Sequence, residues 1–218
     1  CQRSPGFLQI LVQIISEPQH HENLRLGASI SLKLTVQNHW KPRRGDVYNL
    51  SLEEKEALKR FLLEYTQEAD DKVAAQLSET TARAARIEWP GSWPTLFEAL
   101  VNSIHQGDPL GTQRAVFTLH RVMKELSTKR LMRDKTAFAA VCVQLFPIAR
   151  QLWQQRIEQL VGCLGQWVHA SGDELATLEA QLLPLAKLTT YLTKILFRVV
   201  CRGFPRSLQQ DAEGIPAA

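Results

Sequence analysis

No segment of this 218-residue chain is apolar for long enough to cross a bilayer. The longest apolar-looking uncharged run, Ala137 to Ala149, covers about 13 residues and includes Gln144 and Pro147, against the roughly 20 a spanning helix needs. Cysteine is scarce, and Cys1, Cys142, Cys163 and Cys201 never fall in a C-x-x-C pair, which points to a reducing compartment. The last three sit in apolar helical stretches, where a thiol serves as a small buried hydrophobe. The chain opens Cys1-Gln2-Arg3-Ser4, without a basic-then-apolar signal, so nothing suggests secretion. It also lacks an initial Met, which is read as a start lying upstream. A dominant charge is missing too: 26 basic against 22 acidic residues leave +4, weaker than the basic stripe of a nucleic-acid reader. Glycine and proline, 11 and 10, are too few for collagen or a low-complexity polymer, and 44% hydrophobic residues are too many for a wholly disordered tail.

Catalytic and cofactor signatures are absent as well. The chain contains no G-x-S-x-G, no G-x-x-x-x-G-K-[ST], no H-E-x-x-H and no G-x-G-x-x-G. His20-His21, the one adjacent histidine pair, lies in a polar connector with no Cys or carboxylate at ligand spacing, so it reads as a solvated loop. Glu53-Glu54 and Asp70-Asp71 stand at helix starts, where free amides and the helix dipole favour negative charge without any catalysis. The sequence therefore implies no enzyme, no cofactor and no metal.

What is present is helical periodicity almost end to end. Phe7, Leu8, Leu11, Val12 and Ile15 form one apolar stripe; Leu24, Ala28, Leu32 and Val36 form a second. Leu52, Leu58, Leu62 and Tyr65 form a third, opened by a capping box from Ser51 to Glu54. Val73, Leu77, Thr81, Ala84 and Ala85 follow, then Leu96, Leu100, Val101 and Ile104, then Ala115, Leu119, Val122, Met123 and Leu126. A long seventh stripe runs from Phe138 to Leu164, and an eighth from Leu175 to Val199 behind a second box, Ser171 to Glu174. No stretch alternates for long enough to predict a strand, so the fold is all-α. Loops are predicted at His39 to Asp46, Trp89 to Ser92, Gln106 to Pro109, and in part of Gly162 to Gly172. Pro147 and Pro184 fall inside apolar runs and predict kinks or breaks, with a separate helix possible from Leu185.

Helices opening near Gly6, Ser51, Trp93 and Asp134 are spaced 45, 42 and 41 residues apart, the period of paired-helix repeats that bury a core by stacking on their neighbours. The competing architecture is an irregular helical domain. Two basic clusters, Lys41-Pro42-Arg43-Arg44 and Lys129-Arg130 with Arg133 and Lys135, read as solvated loops, with contact to an acidic protein face or phosphates as the functional alternative. No aromatics interleave with them as they do in readers of single-stranded RNA.

Two segments are more distinctive. Ile87-Glu88-Trp89-Pro90-Gly91-Ser92-Trp93-Pro94 joins two helices through a turn, with Pro94 suited to a first helical position and Trp93 to packing across the turn. This resembles the D-x-P-x-x-W-P-x-L turn in the third HEAT repeat of the importin-β (karyopherin-β) family, with Glu88 in place of the usual Asp. Arg114-Ala115 followed by Val122-Met123-Lys124-Glu125-Leu126-Ser127-Thr128-Lys129-Arg130-Leu131 is similar to the V-x-K-x-L-x-x-K-R-L segment of that family's importin eleven branch. Asp134, Phe138 and Leu152-Trp153 follow in the same order, and Pro5-Gly6-Phe7, Asn23-Leu24-Arg25 and Trp40 look like the branch's first two repeats. The likeness covers residues 5–160 and, more loosely, Leu182 to Gly203.

The resemblance implies an amino-terminal fragment of a HEAT-repeat α-α superhelix of four to five helix pairs, with the first repeat truncated. Residues 1–202 would form that domain and 203–218 an irregular tail. It implies a nuclear transport receptor shuttling between cytoplasm and nucleus, whose inner B helices bind the small GTPase Ran in its GTP form. Protein cargo and nucleoporins would be engaged through later repeats. On the second B helix, Glu53, Lys55, Glu56 and Lys59 are the candidate Ran-binding residues, and Trp93 with Pro94 the structural turn. The alternatives are a helical scaffold without a GTPase partner and an RNA-binding solenoid. The truncated first repeat would leave Phe7, Leu11 and Ile15 partly exposed.

Overall fold

The structure, a computed structural model, describes residues 6–42, 48–64, 67–106 and 108–203. Among them it contains eight α-helices: α1 Phe7–Ser16, α2 Glu22–His39, α3 Leu52–Glu64, α4 Asp71–Glu88, α5 Leu96–Gln106, α6 Pro109–Leu126, α7 Met132–Trp167 and α8 Asp173–Arg198, followed by a π-helical turn, Val199–Gly203. Arg43, Arg44 and Tyr65 lie outside the described residues, as does the expected tail beyond Gly203. The helices group into two compact units, one reaching to Glu125 and one from Leu126 onward.

In the first unit α1 packs on α2 and α3, and α2 on α4. The predicted stripes supply its core: Leu11, Ile15, Leu32, Val36, Leu58, Val73, Leu77, Leu96, Leu100, Leu119 and Met123 are all buried. Asp70 caps α4 by accepting from the Lys72 and Val73 amides, and Ser51 and Glu54 exchange hydrogen bonds of 3.1 and 2.9 Å as a capping box on α3. The expected exposure of the first stripe is found only at Phe7, which is half-buried; Leu11 and Ile15 are buried, with α1 packed on α2 and α3. The exposed apolar side chains of this region are instead Ile10 on α1 and Leu24, Ile30 and Leu34 on α2.

A set of six long-range side-chain links shows the repeat directly. Arg25 bonds Glu68, Lys33 bonds Gln76, Trp40 bonds Glu88, Ser78 bonds Thr118 and Arg86 bonds the Glu125 carbonyl; in the second unit Trp153 bonds Thr193. Their sequence separations all fall between 39 and 48.

The second unit is α7 packed along α8, with the π-helical turn closing on both. Neither proline breaks its helix: Pro147 and Pro184 are exposed, and so are Val143 and Ala180 four residues earlier, so the unpaired carbonyls stand on a solvated face. The loop expected in part of Gly162 to Gly172 is found at 168–172, and Gly162 and Gly165 belong to α7. The second capping box does not form, because Gly172 takes φ +59°, a conformation that favours glycine, and starts α8 one residue later than Ser171 would require. Of the described cysteines, Cys142 is buried, Cys163 half-buried and Cys201 exposed. Burial pushes the Cys142 thiol up to about 12, and a Cβ at Gly203 would overlap its sulfur, so the π-helical turn needs glycine there.

Candidate functional site

The second predicted B helix, α3, divides its charged residues between two environments. Glu53, Glu56, Arg60 and Glu64 are exposed and follow each other at three- and four-residue spacing, forming one polar face. Leu58 and Leu62 bury the opposite face. Lys59 does not join the polar face: it is only 3% exposed. Its position three residues before Leu62 turns it toward the segment after α4. There Lys59 Nζ donates to the Ser92 carbonyl at 2.9 Å and to Glu56 Oε1 at 2.8 Å, pairs with Glu88 Oε2 at 3.3 Å, and stands 5.9 Å from the centre of the Trp93 ring. Lys55, half-buried, lies 5.9 Å over the Trp40 ring.

The connector between α4 and α5 is thus held by an ion-pair cluster. Trp89 and Trp93 are buried, with Trp89 edge-on to Phe97 at 5.4 Å. The Ser92 amide bonds the Glu88 carbonyl at 2.8 Å and the Leu96 amide the Trp93 carbonyl at 3.4 Å. Pro94 therefore sits in the turn two residues before α5, not at its first helical position; the Trp93–Leu96 turn precedes regular helix, which delays its start. Glu88, the residue that departs from the family's Asp, has a use for its extra length. It accepts from Trp40 Nε1 at 2.7 Å while meeting Lys59, tying the end of α2 and the middle of α3 to the end of α4.

Burial by itself would raise the Glu88 pKa, but the Trp40 hydrogen bond and the Lys59 and Lys55 charges outweigh it and hold the carboxyl below its usual value. The stabilisation this gives is present above the ordinary carboxylate range and is lost as pH falls through the depressed native value. Wild type should therefore lose more Tm than Glu88→Gln as pH is lowered from about 5, since glutamine keeps the acceptor for Trp40 but cannot titrate. Parallel Tm–pH curves would show that Glu88 carries no such linkage.

A second buried cluster escaped the sequence reading. Glu68, in the α3–α4 connector, is buried and receives Arg25 Nη2 at its carboxylate and Arg114 Nε at its carbonyl, 2.8 Å away. Arg25 also donates to the Ile15 carbonyl at 3.0 Å, and Arg114 pairs with Asp71 at 2.8 Å. Both arginines stand in the segments that carried the family resemblance, so their recurrence there was the available signal. Glu68 itself, isolated in a polar stretch, offered none.

Helices recurring about every forty residues, with side-chain links from one repeat to the next, define a HEAT-type α-α solenoid. The profile described as "Importin-beta N-terminal domain" matches residues 1–68, the segment holding α1 to α3. Mouse (Mus musculus) Importin-11 is 31% identical over 92% of the chain, which corresponds to 19% of Importin-11. Two solved structures share the fold: Lph2, a bidirectional nuclear transport receptor of S. cerevisiae, with TM-score 0.75 and 23% identity over 98% of this chain and 20% of its own, and the exportin Cse1 in its cargo-free, cytoplasmic state, with TM-score 0.76 and 17% identity over 97% and 22%. The chain belongs to the importin-β family and is homologous to Importin-11 over most of its length. It spans about a fifth of the length of the relatives it matches.

Proposed function

We propose that the chain is the amino-terminal, Ran-GTP-binding portion of a nuclear transport receptor. The observation that carries this reading is the importin-β amino-terminal match over α1 to α3. The polar face of α3, with Glu53 and Glu56 exposed and Lys55 half-buried beside them, supports it as a contact surface. Residues 1–202 act as the HEAT-repeat domain, with 203–218 as a tail. Protein cargo and nucleoporins engage later repeats beyond the fifth of the relatives' length spanned here, and the whole receptor shuttles between cytoplasm and nucleus. Its direction is import, in line with the identity to Importin-11. The mechanism is linkage: Ran-GTP and cargo favour different states of one solenoid, so each weakens the other's binding by the same factor.

The test is direct binding of the 218-residue chain to Ran loaded with a non-hydrolysable GTP analogue or with GDP. The GTP form should bind tighter by at least roughly tenfold, about 1.4 kcal/mol. Equal affinity, or none for either form, would leave only a helical scaffold without a GTPase partner.

A further inference from the structure

The α6–α7 connection combines a concentration of positive charge with exposed apolar side chains. Residues 127–136 hold four cations and one carboxylate, a net of three positive charges in a chain whose whole excess is +4. The single carboxylate, Asp134, is spent on Lys129 at 3.2 Å, both side chains being largely buried. With the Lys129 amide bonded to the Leu126 carbonyl at 3.0 Å and the Lys135 amide to the Leu131 carbonyl at 3.0 Å, that ion pair clamps the turn at its base. The clamp projects the residues between. Arg130, Arg133 and Lys135 are exposed and, among the described residues, their side chains have no partner. Between the cations stand Leu131 and Met132, 70% and 75% exposed, among the most exposed large hydrophobics in the structure.

Local stability does not account for this arrangement. Leu131 occupies the N-cap of α7, where its side chain offers no acceptor to the first amides and where Ser, Thr, Asn or Asp would be favoured by about 1 kcal/mol. Two adjacent apolar side chains held in solvent and an uncapped helix start are the kind of local cost that marks a functional surface.

We propose that the Arg130–Arg133 projection is a docking site for an acidic protein segment that carries an apolar side chain. The three unpartnered cations would meet carboxylates, guiding encounter and fixing orientation, while Leu131 and Met132 supply the desolvated centre in which a hot spot forms. RNA fits less well, because the one aromatic within a few residues, Phe138, is buried and no ring is offered for base stacking. A bilayer fits less well because two side chains bury too little to hold a chain at the interface without a longer apolar face. The site lies off α3 and does not depend on the Ran reading.

The test is selection of random peptides displayed on phage against the 218-residue chain, with counter-selection on the double variant Arg130→Glu/Arg133→Glu. Circular dichroism should show both this variant and Leu131→Ser/Met132→Ser folded as wild type, since all four side chains are exposed. The enriched peptides should be net negative and contain Leu, Ile, Met or Phe. As synthetic peptides they should lose at least roughly tenfold in affinity for the arginine variant and about threefold for the Leu131/Met132 variant. Failure to enrich any peptide, enrichment without an acidic excess, or equal binding by the variants would overturn the proposal. So would tighter binding of poly-uridine or of phosphatidylserine vesicles that is lost in the same variants.

Discussion

Trp93→Ala should lower the stability of the first unit by about 3–5 kcal/mol, the usual cost of truncating a buried tryptophan. For a unit of this size that corresponds to a fall in Tm on the order of 10–20 °C. The side chain is 4% exposed, sits beneath Lys59, and belongs to the connector that Trp89, Phe97 and Glu88 also build. Its removal therefore leaves a cavity and takes the ring from under the Lys59 ammonium. Trp167→Ala is the matched control. That ring is 39% exposed near the end of α7, with a long 3.4 Å hydrogen bond to Glu179, and its loss should shift Tm little. Thermal melts followed by circular dichroism decide the matter; equal shifts would show that Trp93 is not a packing residue of the turn.

The architecture was legible because each helix carries its own signal. Val73, Leu77, Thr81, Ala84 and Ala85 repeat at helical spacing, and all five are buried on α4. The Ser51–Glu54 box names the start of α3 by local chemistry alone, and the forty-residue period follows from counting such starts. Failures came where the same local signal met a competing one. Ser171 and Glu174 have the spacing of a cap, but Gly172 between them supplies the positive φ at which the chain turns, and backbone geometry decided the outcome. Pro147 and Pro184 cost their helices a hydrogen bond, but a helix packed along its partner and open to water on the proline side tolerates the loss.

The site was less legible because its decisive contacts join distant residues. Periodicity says that Lys59 lies off the Leu58–Leu62 stripe; it does not say that the chain returns at Ser92 to cover it. The same holds for Trp40, which falls in a predicted loop yet is 1% exposed, with Lys55 over its ring and Glu88, 48 residues later, at its indole nitrogen. Charge alone separates neither case from ordinary solvated residues. The basic cluster Lys129 to Lys135 shows the reverse: the sequence treats its residues alike, and the structure spends one lysine on a clamp and leaves the other cations, among the described residues, without a partner.

Lys59 and its exposed neighbours should separate folding from binding. Lys59→Ala removes the cation from a pair whose side chains are 4% and 14% exposed, a change that costs about 3–5 kcal/mol when the remaining charge is fully buried. The loss here belongs near the lower end of that range, because Glu88 keeps the hydrogen bond from Trp40. It should appear as a lower Tm of the first unit, with Ran-GTP affinity falling only as far as the folded fraction does. Glu53→Lys/Glu56→Lys is the complementary change. Both carboxylates are exposed, and the one ion pair broken, Glu56 with Lys59, is solvated on the Glu56 side, so the stability cost should stay below about 1 kcal/mol. If α3 presents its polar face to Ran, the same double reversal should weaken Ran-GTP binding by roughly tenfold or more, with the loss in the association rate and sensitive to salt if these contacts lie at the rim of the interface. Reversal of Lys41, Arg43 and Arg44 should leave that affinity unchanged. A double variant that melts like wild type and binds Ran-GTP like wild type would remove α3 from the Ran surface, and a Lys59→Ala variant as stable as wild type would remove the ion pair from the account of the turn.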